Sequence, residues 1–238
     1  MGIDEWRDEQ DWPLPDTAHT NFYLSSSSGA NSSEGDGRLR WSPAQSTRED
    51  AFTYDPANPV PTLGGRVMQP ASLNAVGPVD QRPIEDRQDV LCFSSDILDE
   101  QIEVTGHVEA VLHIVSSAVD TDFTARLVDV FPDGRSIYLT DGIIRTRYRR
   151  SLEQPVMMEP GDVYEVTIDM GVTSNVFLAG HRIRLDISSS SFPRYDRNPN
   201  TGASPGAADR AVPAINHVRN GRDYPSRLVL PIIPARAV

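Results

Sequence analysis

The run Gly202-Ala203-Ser204-Pro205-Gly206 has the outline of a G-x-S-x-G nucleophile elbow. In that elbow the backbone N–H of the residue after the serine stabilises the oxyanion. Here that residue is Pro205, which has no N–H to give. No strand pattern precedes the run and no helix pattern follows it, so a flexible loop is the better reading. The histidines are His19, His107, His113, His181 and His217. None stands at i, i+4 from another. His107 and His113 share one strand pattern and one face but lie about 20 Å apart, too far to share a metal. They read as sheet histidines with satisfied partners. Asp120-Thr121-Asp122, with Asp129 and Asp133, could offer oxygens to Ca²⁺. Without EF-hand spacing, turn capping or pairing with Arg126 or Arg145 fits them better. No CxxC motif and no Gly-rich phosphate loop is present. The chain is expected to carry no catalytic residue, no metal site and no cofactor of its own.

Charge narrows the partners. The 238 residues carry a formal net charge of −12, whereas a nucleic-acid binder needs a cationic footprint. Anionic membrane surfaces are disfavoured likewise. The one basic patch, Arg145-Thr146-Arg147-Tyr148-Arg149-Arg150, reads as pairing with acidic neighbours or docking on another domain. The single cysteine, Cys92, lies between Leu91 and Phe93 and reads as a buried small hydrophobe. Residues 1–10 are acidic and lack the apolar stretch of a signal peptide. No apolar run reaches the ~18 residues of a membrane span. A cytoplasmic location is the expectation.

The elements that must position any site are strands. Residues 102–116 place Val104, Val108, Ala110, Leu112 and Ile114 on one face, and Val111 and Val115 on the other. Residues 123–131, 136–139 and 143–148 continue the pattern around a Pro132-Asp133-Gly134-Arg135 turn. Tyr164, Val166, Ile168 and Met170 alternate with polar residues, as do Ile183, Leu185 and Ile187, the mark of half-buried antiparallel strands. Residues 228–233 close the chain, with Pro231 marking an edge or a bulge. The only helical candidate spans 207–218, interrupted by Pro213. Residues 1–65 form an irregular N-terminal segment with short strands at 22–24 and 39–41. Within it, residues 25–37 read as a mobile Ser/Gly loop, and Trp6, Trp12 and Trp41 as apolar anchors. A single domain over 1–238 is expected, with its main sandwich in 66–238: all-β, a β-sandwich or jelly roll.

Three blocks of residues carry a resemblance. Gly77-Pro78-Val79-Asp80-Gln81-Arg82-Pro83 with Asp89-Val90-Leu91-Cys92-Phe93 is the first. Asp120-Thr121-Asp122-Phe123, Leu127-Val128-Asp129-Val130-Phe131-Pro132-Asp133-Gly134 and Asp141-Gly142-Ile143-Ile144-Arg145 form the second. Gly180-His181-Arg182-Ile183 and Ser190-Ser191-Phe192-Pro193-Arg194-Tyr195-Asp196-Arg197-Asn198 form the third. In this order, with the opening Met1-Gly2-Ile3-Asp4-Glu5-Trp6-Arg7, they resemble the C-terminal domain of the cocaine-esterase and X-Pro dipeptidyl-peptidase family of serine hydrolases. The resemblance spans nearly the whole chain. It implies a galactose-binding-like jelly roll packed on an α/β-hydrolase domain, in cis or in trans, that holds the Ser, His and Asp. It implies a small ester or amide substrate for the whole enzyme, and a pocket wall here at Val67, Met68 and Gln69. Relatives carry apolar residues at that wall, from which Gln69 departs. A strand normally runs into the Met-Gly of this domain, so a fragment or a late-started reading frame is expected. The alternatives are a free-standing carbohydrate-binding jelly roll and an interaction domain pairing with a separately encoded hydrolase.

Overall fold

In a computed structural model of the chain, residues 1–66, 76–203 and 210–234 are described. They form eleven strands: β1 (Ala18–Ser25), β2 (Arg38–Arg40), β3 (Arg48–Tyr54), β4 (Leu91–Ser94), β5 (Ile102–Ser116), β6 (Asp122–Val130), β7 (Ser136–Arg145), β8 (Tyr164–Phe177), β9 (Arg182–Ser188), β10 (Ala214–Asn220) and β11 (Arg227–Ile233). One short helix, α1 (Arg82–Glu85), precedes β4, and a 3-10 turn follows β7 at Thr146–Tyr148. The fold is all-β. The strands follow the order β3-β10-β5-β11-β1-β2-β4-β9-β6-β7, with β8 pairing on β5. The last strand of the path returns to β8, where the Thr140 hydroxyl donates to the Met170 carbonyl. A Cβ at Gly142 would lie 2.1 Å from the Asp169 oxygen, so glycine permits this closure.

The long β5 shows why alternation alone does not describe its burial. Val104, Val108, Ala110, Leu112 and Ile114 point into the core, but Val111 and Val115 are buried as well. Its pairing with β8 shifts between His107 and Glu109, and its pairing with β11 shifts between Val229 and Ile232. Pro231 therefore sits at a bulge inside the sheet, where Gly106 leaves room for its ring. On β9, Ile183, Leu185 and Ile187 face the main core and are fully buried. Its other face is covered too. Val60, Ile84, Val90 and Cys92 form a second small cluster there, and Asp186 is 2% exposed.

The first 60 residues are more regular than expected, with β1 lying between β11 and β2. The Ser/Gly loop is also tied down. Ala30 and Ser32 are buried, and the Asp36 carboxylate accepts the backbone N–H groups of Ser27, Ser28 and Gly29 at 3.1, 2.8 and 3.1 Å. Burial opposes ionisation of Asp36, yet these donors outweigh it and hold its carboxyl down at about 2. Of the helix candidate at 207–218, the described residues 210–218 hold no helix, and β10 occupies them from Ala214. The tryptophans are not buried anchors of the first segment: Trp6 is fully exposed, Trp12 is more than half exposed, and Trp41 packs on Phe22 while staying more than half exposed. Buried Leu14 does part of that work, and Arg7 grips Glu103 with bonds of 2.8 and 2.5 Å.

Candidate functional site

Val67, Met68 and Gln69 lie outside the described residues, but both flanks of their loop are visible. Gly65 and Gly77 face each other in an antiparallel bridge, exchanging backbone hydrogen bonds of 2.8 and 3.0 Å. Gly64 and Gly65 have φ of +67° and +87°, a region where side chains are strained. A Cβ on Gly64 would lie 2.5 Å from the Gly77 oxygen. Arg66 ties one flank to β7 and β8 by donating to the carbonyls of Asp141 (3.3 Å) and Met170 (3.1 Å).

This clasp rests on a buried polar group. Asp141 accepts from the Tyr138 hydroxyl and from Arg194 Nη1 at 2.5 Å. Arg194 also lies over the Tyr195 ring, 5.0 Å from its centroid. Burial, then the Asp141 charge, pushes the Tyr138 phenol up to about 12, so it stays a donor at neutral pH. A Cβ on Gly65 would lie 3.1 Å from Arg194 Nη1 and 3.2 Å from the Tyr138 ring. The arrangement holds no nucleophile; it fixes where the loop leaves the sheet. Arg194→Met is expected to leave Asp141 without its cation and, the pair being partly exposed, to cost about 2 kcal/mol, as for a buried group that loses a hydrogen-bond partner. Amide exchange at Gly65 and Gly77 should quicken beyond the global change.

The Asp120-Thr121-Asp122 carboxylates take arginine partners. Asp122 holds Arg145 in a two-pronged pair of 2.9 and 3.0 Å. Asp120 holds Arg147 at 2.9 and 2.7 Å. The Asn198 amide donates to both carboxylates, at 2.8 and 2.7 Å. Arg145 and Arg147 of the basic patch thus pair inward with acidic neighbours, with Asn198 as a third partner from a distant segment, whereas Arg149 donates to the Thr146 and Met157 carbonyls. Asp129 pairs with His181 Nδ1 at 2.8 Å, and Asp133 with Arg135 at 2.7 Å.

One serine, histidine and carboxylate do come together. Ser226 Oγ is 3.5 Å from His113 Nδ1, and His113 Nε2 is 3.3 Å from Glu165. No motif joins these three residues, and sequence reasoning missed them. The chemistry is not that of a triad. The Ser226 hydroxyl donates its proton to the Arg219 carbonyl at 2.6 Å and accepts the His113 backbone N–H at 2.8 Å. It is fully buried, so no carbonyl carbon reaches it. Burial lowers the His113 pKa, with the Glu165 charge opposing. Ser226 is a clamp between β5 and the turn before β11. His107 is exposed on the same strand, and Ser204 lies outside the described residues.

Comparison with known proteins places this arrangement. Residues 1–229 match the family model described as X-Pro dipeptidyl-peptidase C-terminal non-catalytic domain. The cocaine esterase of Rhodococcus sp. (strain MB1 Bresler) is 57% identical over 235 residues, covering 98% of this chain and 41% of that protein. An aminopeptidase from a marine sediment Thaumarchaeota archaeon superposes with a TM-score of 0.84 at 30% identity, over 98% of this chain and 39% of that one. An α-amino acid ester hydrolase does so with a TM-score of 0.82 at 27% identity, over 97% and 40%. The chain thus spans about two-fifths of the relatives it matches. Matched along nearly its whole length, it belongs to the family of X-Pro dipeptidyl-peptidase C-terminal non-catalytic domains.

Proposed function

We propose that this chain serves a serine hydrolase of small esters or amides as its pocket-shaping domain, packed on an α/β-hydrolase domain that holds the nucleophile. The galactose-binding-like jelly roll and the cytoplasmic setting are parts of the same reading. The observation that supports it is the glycine clasp at Gly65 and Gly77. It fixes both flanks of the segment that holds residues 67–69, on a base of Tyr138, Asp141 and Arg194, and a wall against a reacting centre requires such a base. In the whole enzyme the serine would attack the carbonyl while the histidine takes its proton, and this domain would hold the acyl group and exclude water. The exposure of Trp6 and Trp12 suits a chain that packs on another domain.

The purified chain is expected to hydrolyse p-nitrophenyl esters no faster than buffer, and Ser226→Ala to change nothing. Turnover stopped by a serine-directed inhibitor, or lost with Ser226, would refute the proposal. Joined to an α/β-hydrolase domain, a variant at residues 67–69 should alter KM and kcat together, with serine labelling by a small fluorophosphonate retained. Unchanged kinetics across such variants would remove this loop from the pocket.

A further inference from the structure

A groove of about 480 Å³ opens between the end of β2 and the loop from β4 to β5. Trp41 forms one wall. Its ring packs on Phe22, centroids 4.5 Å apart, yet 65% of the residue is exposed. Ile97, also more than half exposed, supplies further apolar lining. Asp96, Asp99 and Glu100 line the same groove. Among the described residues, none of these three carboxylates makes a hydrogen bond or ion pair. The one lining cation, Arg40, has its Nε donated to Ser25.

The loop bearing the acids is pinned. Ser95 exchanges bonds with Ile183 and accepts Arg182 Nη1 at 2.8 Å. Leu98 donates to the His181 carbonyl and accepts from Gly180. The acids are therefore presented on a fixed frame, which lowers the ordering cost of binding. Carboxylates alone at a surface are ordinary solvated groups. An open indole face on the same groove is what selects a ligand.

We propose that this groove takes an arginine side chain from a peptide segment of a protein partner. A guanidinium stacks flat on an indole while its N–H fork meets carboxylates. Its methylene stem covers apolar lining such as Ile97. A lysine ammonium offers no planar face, and a neutral sugar gains nothing from three negative charges. This inference does not depend on the hydrolase reading.

The test is NMR titration of the ¹⁵N-labelled full chain with a short arginine peptide and its citrulline counterpart, a neutral shape-mimic. Its three tryptophans should give three indole N–H signals, and Trp41→Phe assigns one of them. That signal is expected to move with the arginine peptide and not with the citrulline peptide or galactose. Trp41→Ala should weaken binding about tenfold. Asp99→Asn with Glu100→Gln should weaken it about fivefold, as should salt at about 0.5 M. Backbone spectra of the variants report that each is folded, and the acid-neutralised variant carries the test if Trp41 variants do not fold. No movement at about 10 mM peptide, or equal response to citrulline or galactose, would overturn the inference.

Discussion

Asp120→Ala is expected to be among the most damaging single changes in this chain. Asp120 is fully buried, and its partner Arg147 is 5% exposed. The carboxylate accepts the Arg147 guanidinium twice, the Arg147 backbone N–H, the Thr146 hydroxyl and the Asn198 amide. Removing it strands a guanidinium away from water and leaves several buried donors unpaired. Breaking one side of such a pair costs about 3–5 kcal/mol, a large share of the ~5–15 kcal/mol that holds a domain folded. The urea midpoint should fall steeply. Asp133→Ala is the control, since its pair with Arg135 is half exposed on both sides, and such pairs contribute little. Equal midpoints for the two variants would mean that the buried network is not what locks the 3-10 turn onto β6.

That network shows what residue order reveals and what it hides. Pairing of these carboxylates with an arginine was legible from charge, with Arg126 and Arg145 as the candidates; Arg145 takes Asp122, and Arg126 lies by Asp186 instead. Asn198, which bridges Asp120 and Asp122, was not legible, since nothing local marks a partner 76 positions away. The same limit explains β10. Its inward face reads Ala214, Asn216, Val218 and Asn220, and two asparagines break the apolar alternation that marks a strand. They are tolerated because their amide N–H groups are occupied: Asn216 donates to Ser189 at 2.8 Å and also accepts from Ser116 at 2.6 Å, and Asn220 donates to Asp50 at 2.8 Å, leaving only its Oδ1 without a partner. The Ser/Gly loop misled for a related reason. Its order comes from one carboxylate gathering backbone donors, which composition does not register. Around Gly65 the sequence showed a Pro/Gly loop but not its closure on Gly77, and Tyr138, Asp141 and Arg194 beneath it needed the fold.

The second face of β9 leads to the other large effect. Asp186 reads in sequence as the polar half of an alternating strand, a solvent-facing residue. Instead it is 2% exposed, and neither carboxylate oxygen meets an N–H or hydroxyl donor; only the weak Cys92 thiol donor lies beside it. The Arg126 guanidinium stands 3.8 Å away, while Arg184 is drawn to Glu85 at 2.5 Å. Burial, then the Glu85 charge, pushes the Asp186 carboxyl up to about 7, with Arg126 and Arg184 pulling it down only in part. An unfolded chain releases this proton near the usual aspartate value, ~3.9. Between roughly pH 4 and 7 the folded protein therefore keeps a proton that the unfolded chain has lost. The resulting stability is complete below pH ~4, declines as pH rises through that window and is gone above ~7. Three pKa units correspond to about 4 kcal/mol. Asp186→Asn stays neutral throughout, so it should match the native chain near pH 4 and exceed it at pH 8. Asp36, held down at about 2, acts with the opposite sign and only at lower pH. Asp50, Asp122 and Asp129 are raised by burial and slope the same way. The readout is therefore the difference between variant and native urea midpoints at each pH, in which these shared contributions cancel. Two curves running parallel from pH 4 to 8 would show that Asp186 is already ionised in the fold, with a cation or ordered water compensating its charge.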